Sequence, residues 1–366
     1  MHLLVPGKTN FRVMNDALAL VAAGYTVTIV DVVPAVKPTR EEYQGITFKH
    51  VGAQSWFEPS RWKPWFLVKA MLITVRCTFV VLATRADIYH AHVEHAFCAA
   101  WLAASLWHSG LIFDTPELTL YDPKITRWPR LRRLTRTLVR LLAVRCDLYI
   151  TGSPAYVPIL RQLYGSQHFA VIRHMPPQRA IPRSNRLTFP GLPADTRIAL
   201  YQGYLLPDRG LTMLVHAARF LNDHVAIVIM GQSFGSQADE LHTLIETLGV
   251  EERIKIVPAV PYRELLDWTA SADLGLLLLP PDYSLSIHKC LPNKFFEYLM
   301  AGRPILSSRL EVIAPLIERY QLGRVLDELT PQQIATAIND LLSEQQRKYW
   351  QHLHTNTQHT VTERRW

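Results

Sequence analysis

The stretch CLPNKFFEYLMAGRPIL, residues 290–306, decides how the chain folds. Phe295, Phe296, Leu299 and Met300 recur at helical spacing, and the tripeptide GRP stops the run. DLGLLLLP (273–280) precedes it and PILSS (304–308) ends it; both are short apolar runs of strand type. Strand, helix, strand makes a βαβ unit, whose two strands lie parallel. Asn293 is placed to cap the helix, Glu297 stands on its first turns, and Lys294 lies one turn before it. Such a helix start offers bare N–H groups and the positive end of a dipole. A carboxylate there can accept two vicinal hydroxyls, as the acidic residue of a nucleotide site does with ribose. The plainer reading of Glu297 is an acid that only supports its own helix.

The same alternation runs outward in both directions. Towards the N-terminus, IALYQG (198–203), VAIVIMG (225–231) and IKIVPAV (254–260) read as strands, with helices near 211–221, 238–249 and 262–272 between and after them. A further helix is predicted near 331–343. In the first half, HLLV (2–5), YTVTIVDV (25–32), GITFKHV (45–51), DIYHAHV (87–93), GLIFDTPE (110–117) and CDLYITGS (146–153) are strands. Helices are predicted near 13–22, 62–84, 96–107 and 128–145. Residues 176–197 are proline-rich and lack a period, which marks a linker. The expectation is an α/β chain of two doubly wound domains, residues 1–176 and 198–345, joined by a linker over 177–197 and followed by a basic tail, 346–366. Open parallel sheets bind ligands at the C-terminal ends of their strands, so a cleft between such domains is the expected site.

Composition bounds the function. The chain has 366 residues, 49% of them hydrophobic and 19% charged, enough for two packed cores. The net charge of +8 suits anionic partners. Cys77, Cys98, Cys146 and Cys290 form no CxxC pair, which favours reduced thiols in the cytoplasm over a disulfide framework or a zinc site. The start, MHLLVPGKTN, reads as a strand and not as a leader. The most apolar run, residues 66–83, is broken by Lys69 and Arg76, each costing about 3 kcal/mol at a bilayer centre, so it is not read as a span. Aromatics do not interleave with basic residues as in a nucleic-acid module.

Three further stretches resemble site loops. In YQGYLLPDRGLTMLV (201–215) a strand ends at Gln202, Gly203 allows a tight turn, and Arg209 offers a fork suited to phosphate oxygens. An ordinary turn with a surface arginine fits the same residues equally well. MGQSFG (230–235) places Gly231 at a second such turn, a weak signal alone. Val257, Pro258, Ala259 and Val260 end the next strand and can present backbone groups to a base edge, though a plain strand–helix joint is at least as good a reading.

The quoted stretches of 198–306 resemble, in order, the retaining GT-B glycosyltransferases, family 4 in particular. NFRVMNDALALVAAGYTVTIVD, ADIYHAHVEHAF and DTPE resemble the family's first half more loosely. The resemblance implies two Rossmann-like domains facing across a cleft. It implies a retaining, metal-independent transferase that moves sugar from a nucleoside-diphosphate sugar to an acceptor glycan or polyprenyl-linked glycan, without a cofactor. Arg209 would neutralise the donor diphosphate beside Gly203, Lys294 would lie near it, and Glu297 would hold the ribose. The loop 257–260 would cradle the base, and Gly231 and Asn293 would complete the donor site. His92 would face the donor sugar, and Gly7, Arg12 and Glu117 would meet acceptor or phosphate. His92, Arg209 and Lys294 are the catalytic candidates. The tail stands where the family's last helix crosses back to the first domain. Three departures stand out: Tyr204 replaces an arginine, Lys289 replaces the first acid of an E-x7-E pair, and Pro116 replaces a histidine. The alternatives are a non-catalytic nucleotide- or anion-binding protein of this fold and a nucleotide-sugar epimerase. Basic, apolar helices near 62–84 and 128–145 can lie on anionic membrane, which would put the protein at its inner face. Packing against the sheet with solvated arginines is the other reading of the second helix.

Overall fold

The computed structural model describes residues 1, 6–35, 38–53, 63–165, 168–173, 175, 189–233, 236–346 and 350. The strand expected over 2–5, most of the linker and nearly all of the tail lie outside them. The chain divides into two compact units, residues 1–174 and 175–366.

Unit 1 contains strands β1 (Val27–Val33), β2 (Thr39–Tyr43) and β3 (Ile46–Gly52) in the order β1-β3-β2. β3 runs parallel to β1 and antiparallel to β2. The sequence reading passed over β2 because every residue of it is exposed, so no apolar alternation betrays it. Its turn gives the signal instead: Gln44 and Gly45 both have positive φ, 53° and 78°, as a two-residue hairpin of the primed type requires. A second group, β4 (Ile88–His92), β5 (Gly110–Asp114), β6 (Leu148–Thr151) and β7 (Phe169–Val171), is parallel in sequence order. The helix Phe11–Ala22 is capped by Asn10, whose side chain accepts from the Val13 N–H, and it buries Val13, Met14 and Ala17. The helix Glu94–Trp107 buries alanines 96, 99, 100, 103 and 104, small side chains that let it lie close to its neighbours.

Unit 2 holds one parallel sheet of six strands: β8 (Arg197–Gln202), β9 (Val225–Met230), β10 (Ile254–Val257), β11 (Leu274–Leu277), β12 (Ile305–Ser308) and β13 (Gly323–Leu326). Their order, β10-β9-β8-β11-β12-β13, is the doubly wound order 3-2-1-4-5-6. Alternate residues of β8 feed opposite faces. Ala199 and Tyr201 pack with the helices Leu211–Ala217, Gln237–Leu248 and Pro331–Leu341, while Ile198 and Leu200 pack with Trp268 of Tyr262–Ser271. Phe189 and Leu192, inside the stretch read as linker, are buried in that second cluster. The sequence reading left β13 and the helix Ile313–Tyr320 unassigned; the strand is only Gly-Arg-Val-Leu, too short to show a period. The strand order reverses between β8 and β11, which leaves a crevice beyond their C-terminal ends. All four cysteines are free thiols. Among the described residues no helix is long and apolar enough to cross a membrane.

Candidate active site

In unit 2, Gly203, Gly231, Lys294 and Glu297 gather at the strand-order reversal, while residues 257–260 lie at the end of the edge strand β10. β8 ends at Gln202, and Gly203 follows with φ of 137°, a conformation that favours glycine. Gly231, after β9, packs on it so closely that a Cβ there would stand 1.7 Å from the Gly203 carbonyl oxygen. Lys294 reaches the same spot from the helix Asn293–Met300: its Nζ lies 3.3 Å from where a Cβ of residue 203 would be and 3.9 Å from the centre of the Tyr201 ring. The turn Pro207–Arg209 carries Arg209 on the loop after β8. That loop is held to the end of β11 at Gly210, where a Cβ would meet the Leu278 carbonyl at 2.7 Å.

Glu297 is buried, only 6% exposed, as the fifth residue of its helix, which the sequence did not show. Gln202 Nε2 donates to its Oε2 at 2.5 Å, and the Thr269 hydroxyl donates to Gln202 Oε1 at 2.8 Å. Burial pushes the Glu297 carboxyl above its ordinary value, against the Gln202 hydrogen bond and the Lys294 charge. Tyr298 is fully buried beside it and donates towards the carbonyls of Leu200 (2.9 Å) and Leu276 (3.1 Å), tying β8 to β11. Asn293 is not the cap: Pro292 holds that position without a side-chain bond, so Asn293 is the first helical residue. In the 257–260 loop, Val257 is buried and its carbonyl accepts the Gly231 N–H at 3.1 Å, Pro258 and Ala259 are exposed, and Val260 packs half-buried. Tyr204 is half exposed, and its carbonyl accepts from the Tyr201 hydroxyl at 2.8 Å. Lys289 forms an ion pair with Glu311, so a neutralised cation stands where the resemblance expects an acid.

Unit 1 builds a second cluster at the C-terminal ends of β4 and β5, where His92 and Asp114 are paired in register. His92 Nδ1 lies 3.1 Å from Asp114 Oδ2. Arg12, on the first turn of its helix, donates to both Asp114 oxygens, at 2.9 and 2.7 Å. Burial alone would raise the Asp114 carboxyl; the His92 hydrogen bond and the Arg12 charge outweigh it and hold it at about 2. Burial lowers His92 more than Asp114 raises it, so the ring is neutral at pH 7. With its Nδ1 proton directed at the carboxylate, His92 keeps a lone pair on Nε2, a buried atom that has no hydrogen-bond partner. His90 stacks on it, 4.2 Å between ring centres, and its Nε2 is also unpartnered. The ligand atoms of His90, His92 and Asp114 lie within 4.8 Å of one another, a spacing a metal could use. The Arg12 guanidinium already occupies both oxygens of Asp114, and its charge repels a cation there. Val93 follows with φ 63° and ψ 165°, a strained conformation for a β-branched residue, held by a bond from its N–H to the Asp114 carbonyl at 2.9 Å. Gly7 is anchored elsewhere, its N–H donating to Asp31 Oδ2 at 2.6 Å, and Glu117 is exposed.

Sequence reasoning missed Gln202 and Thr269 as site residues. A polar residue closing the apolar run IALY was the available sign for Gln202; nothing local marks Thr269.

The family described as glycosyl transferases group 1 matches residues 186–359, and that described as glycosyltransferase family 4 matches residues 12–175. The chain is similar to the D-inositol 3-phosphate glycosyltransferase of Thermobispora bispora, 22% identical over 382 residues that span 93% of this chain and 83% of that protein. Its fold is similar to that of sucrose-phosphate synthase from Thermosynechococcus elongatus, with TM-score 0.79 at 17% identity over 99% of this chain and 90% of that one. It is similar also to that of Anabaena HepE in complex with UDP and glucose, with TM-score 0.70 at 17% identity over 99% and 94%.

Proposed function

We propose that this chain, which belongs to the GT-B glycosyltransferases of the GT4-like type, moves a sugar from a nucleoside-diphosphate donor to an acceptor hydroxyl with retention at the anomeric carbon. The observation that carries the reading is the Thr269–Gln202–Glu297 chain beside Lys294 and Gly203, at the point where the strand order reverses. A buried carboxylate held by one amide keeps lone pairs for ribose hydroxyls, and the backbone at Gly203 and Gly231 leaves room for a pyrophosphate. Asn293, with its N–H at the helix start, faces the same ligand, and Pro258 and Ala259 meet the base.

The bond from the anomeric carbon to the β-phosphate oxygen breaks while the acceptor oxygen bonds to that carbon. The acceptor proton passes to the departing phosphate, so no side chain need act as a covalent nucleophile. Negative charge grows on the leaving diphosphate, and Lys294 and Arg209, already in place, offset it without a metal. Neutral His92 accepts a hydrogen bond from a sugar hydroxyl through Nε2; it does not donate one, because Asp114 holds its proton on Nδ1. Arg12 acts through Asp114, keeping that carboxylate ionised, and Gly7 and Glu117 border the acceptor. The acceptor is a lipid-linked or cell-surface glycan at the inner face of a membrane.

HepE was solved with UDP, so uridine diphosphate is the first nucleotide to try. One nucleoside diphosphate should raise the melting temperature; at a hundred times its dissociation constant the gain is about 2.7 kcal/mol. Its sugar derivative should release the diphosphate faster when a glycan acceptor is added. Absence of binding by uridine, guanosine and adenosine diphosphates alike would contradict the reading.

A further inference from the structure

On one side of unit 1 three helices expose their apolar stripes to solvent. Val68, Met71, Leu72, Val75 and Phe79 of Lys63–Leu82 recur at helical spacing and are all exposed, Phe79 to 68%. The opposite side of that helix does the packing, through Ile73, Cys77 and Val81, with Lys69 buried one turn before Ile73. In Pro129–Ala143 the stripe Leu131, Leu134, Leu138 and Leu141 is exposed, Leu141 to 69%, while Val139 and Ala143 face inward. This reverses the usual amphipathic arrangement, in which the apolar stripe covers the core. The helix Glu94–Trp107 packs between the two and adds exposed Leu102 and Leu106.

The border of this surface is cationic. From 123 to 146 the sequence has basic residues and no acid, and Arg130, Arg133 and Arg140 are exposed beside the leucines. Among the described residues no carboxylate pairs with these three. A contiguous apolar face is unstable in water unless something covers it. A second copy of the chain, packed by two-fold symmetry, would bring arginines against arginines. An anionic bilayer surface satisfies both features at once: acyl chains take the leucines and phenylalanine, and lipid phosphates take the arginines.

We propose that this three-helix face of unit 1 docks the protein on an anionic phospholipid surface, lying on it without crossing it. The proposal stands on residues 63–145 alone and is tested apart from the donor site. The probe is flotation of the full chain with phosphatidylcholine vesicles, with and without about a third of phosphatidylglycerol. The wild type should float only with the anionic vesicles, and less as salt rises. Replacing Arg133 and Arg140 together by glutamine should weaken binding about 25-fold, roughly fivefold per charge. Leu134→Asp combined with Phe79→Asp should abolish it, with the melting temperature and the response to uridine diphosphate unchanged. Failure of the wild type to float, or variants that bind like the wild type, would overturn the proposal. So would a wild-type dimer in sedimentation that the Leu134→Asp, Phe79→Asp variant breaks, since the face would then belong to a second copy.

Discussion

Glu297 is an acid in a nearly dry place, and its use depends on staying ionised. Its pKa lies above the ordinary 4.5, so mild acid protonates it and removes the charge that the proposed ribose site relies on. Nucleotide affinity should therefore fall as pH drops through the window above 4.5, and a calorimetric titration of Glu297→Gln should lose that dependence. Glu297→Ala should weaken nucleotide binding by about 2 kcal/mol, roughly 30-fold, with the fold retained. The sequence singled out the residue as a candidate but did not show its burial, because exposure depends on partners from β8 and the helix Tyr262–Ser271, far along the chain. Gly231 is legible in the same limited way. A glycine after a strand is common, and only the packing on Gly203 shows that it is obligatory. A Cβ at 231 would collide with the Gly203 backbone, its carbonyl oxygen at 1.7 Å and its carbonyl carbon at 2.8 Å, so Gly231→Ala should cost at least about 2 kcal/mol, measurable by urea denaturation.

At the scale of elements, the βα units of unit 2 from β8 to β12 were readable because their strands are mostly apolar runs and the helices between them are periodic, whereas β13, Gly-Arg-Val-Leu, and the helix Ile313–Tyr320 gave no such signal. Their order in the sheet was not, since pairing is non-local: β8 lies between β9 and β11 although β10 intervenes in sequence. The site exists because of that order. The Tyr298 hydroxyl bridges β8 and β11, and Gln202 fixes the carboxylate that the helix Asn293–Met300 presents. Gln202→Leu leaves the Thr269 hydroxyl and Glu297 without their buried bonds to it. It should raise the donor KM while leaving Lys294 in place, a loss that a merely structural role would spread over kcat as well. In unit 1 the turn from β4 into Glu94–Trp107 stores strain at Val93. Val93→Gly should relieve it and raise stability by about 1 kcal/mol in thermal unfolding.

Across the whole molecule, acid lability should centre on unit 1. Asp114 has its folded pKa at about 2, below the ordinary 3.8, so its contribution is full above 3.8 and is lost as pH falls towards 2. His90 and His92 have folded values below the ordinary 6.5, so the unfolded chain binds protons first and stability already declines below that pH. Asp114→Asn should flatten the lower part of this profile and cost about 3 kcal/mol at neutral pH by leaving the Arg12 charge unpaired in a mostly buried place. The two-part α/β architecture was legible from alternation and from the proline-rich break; the exposed leucines of Pro129–Ala143 were not, because helical spacing does not say which face meets solvent.

The most direct measurement is a crystal structure of the chain soaked with uridine diphosphate. The account predicts ribose hydroxyls on Glu297 and phosphates at Gly203, Lys294 and Arg209, beyond the ends of β8 and β11. Nucleotide bound elsewhere, with Glu297 still touching only Gln202, would contradict it.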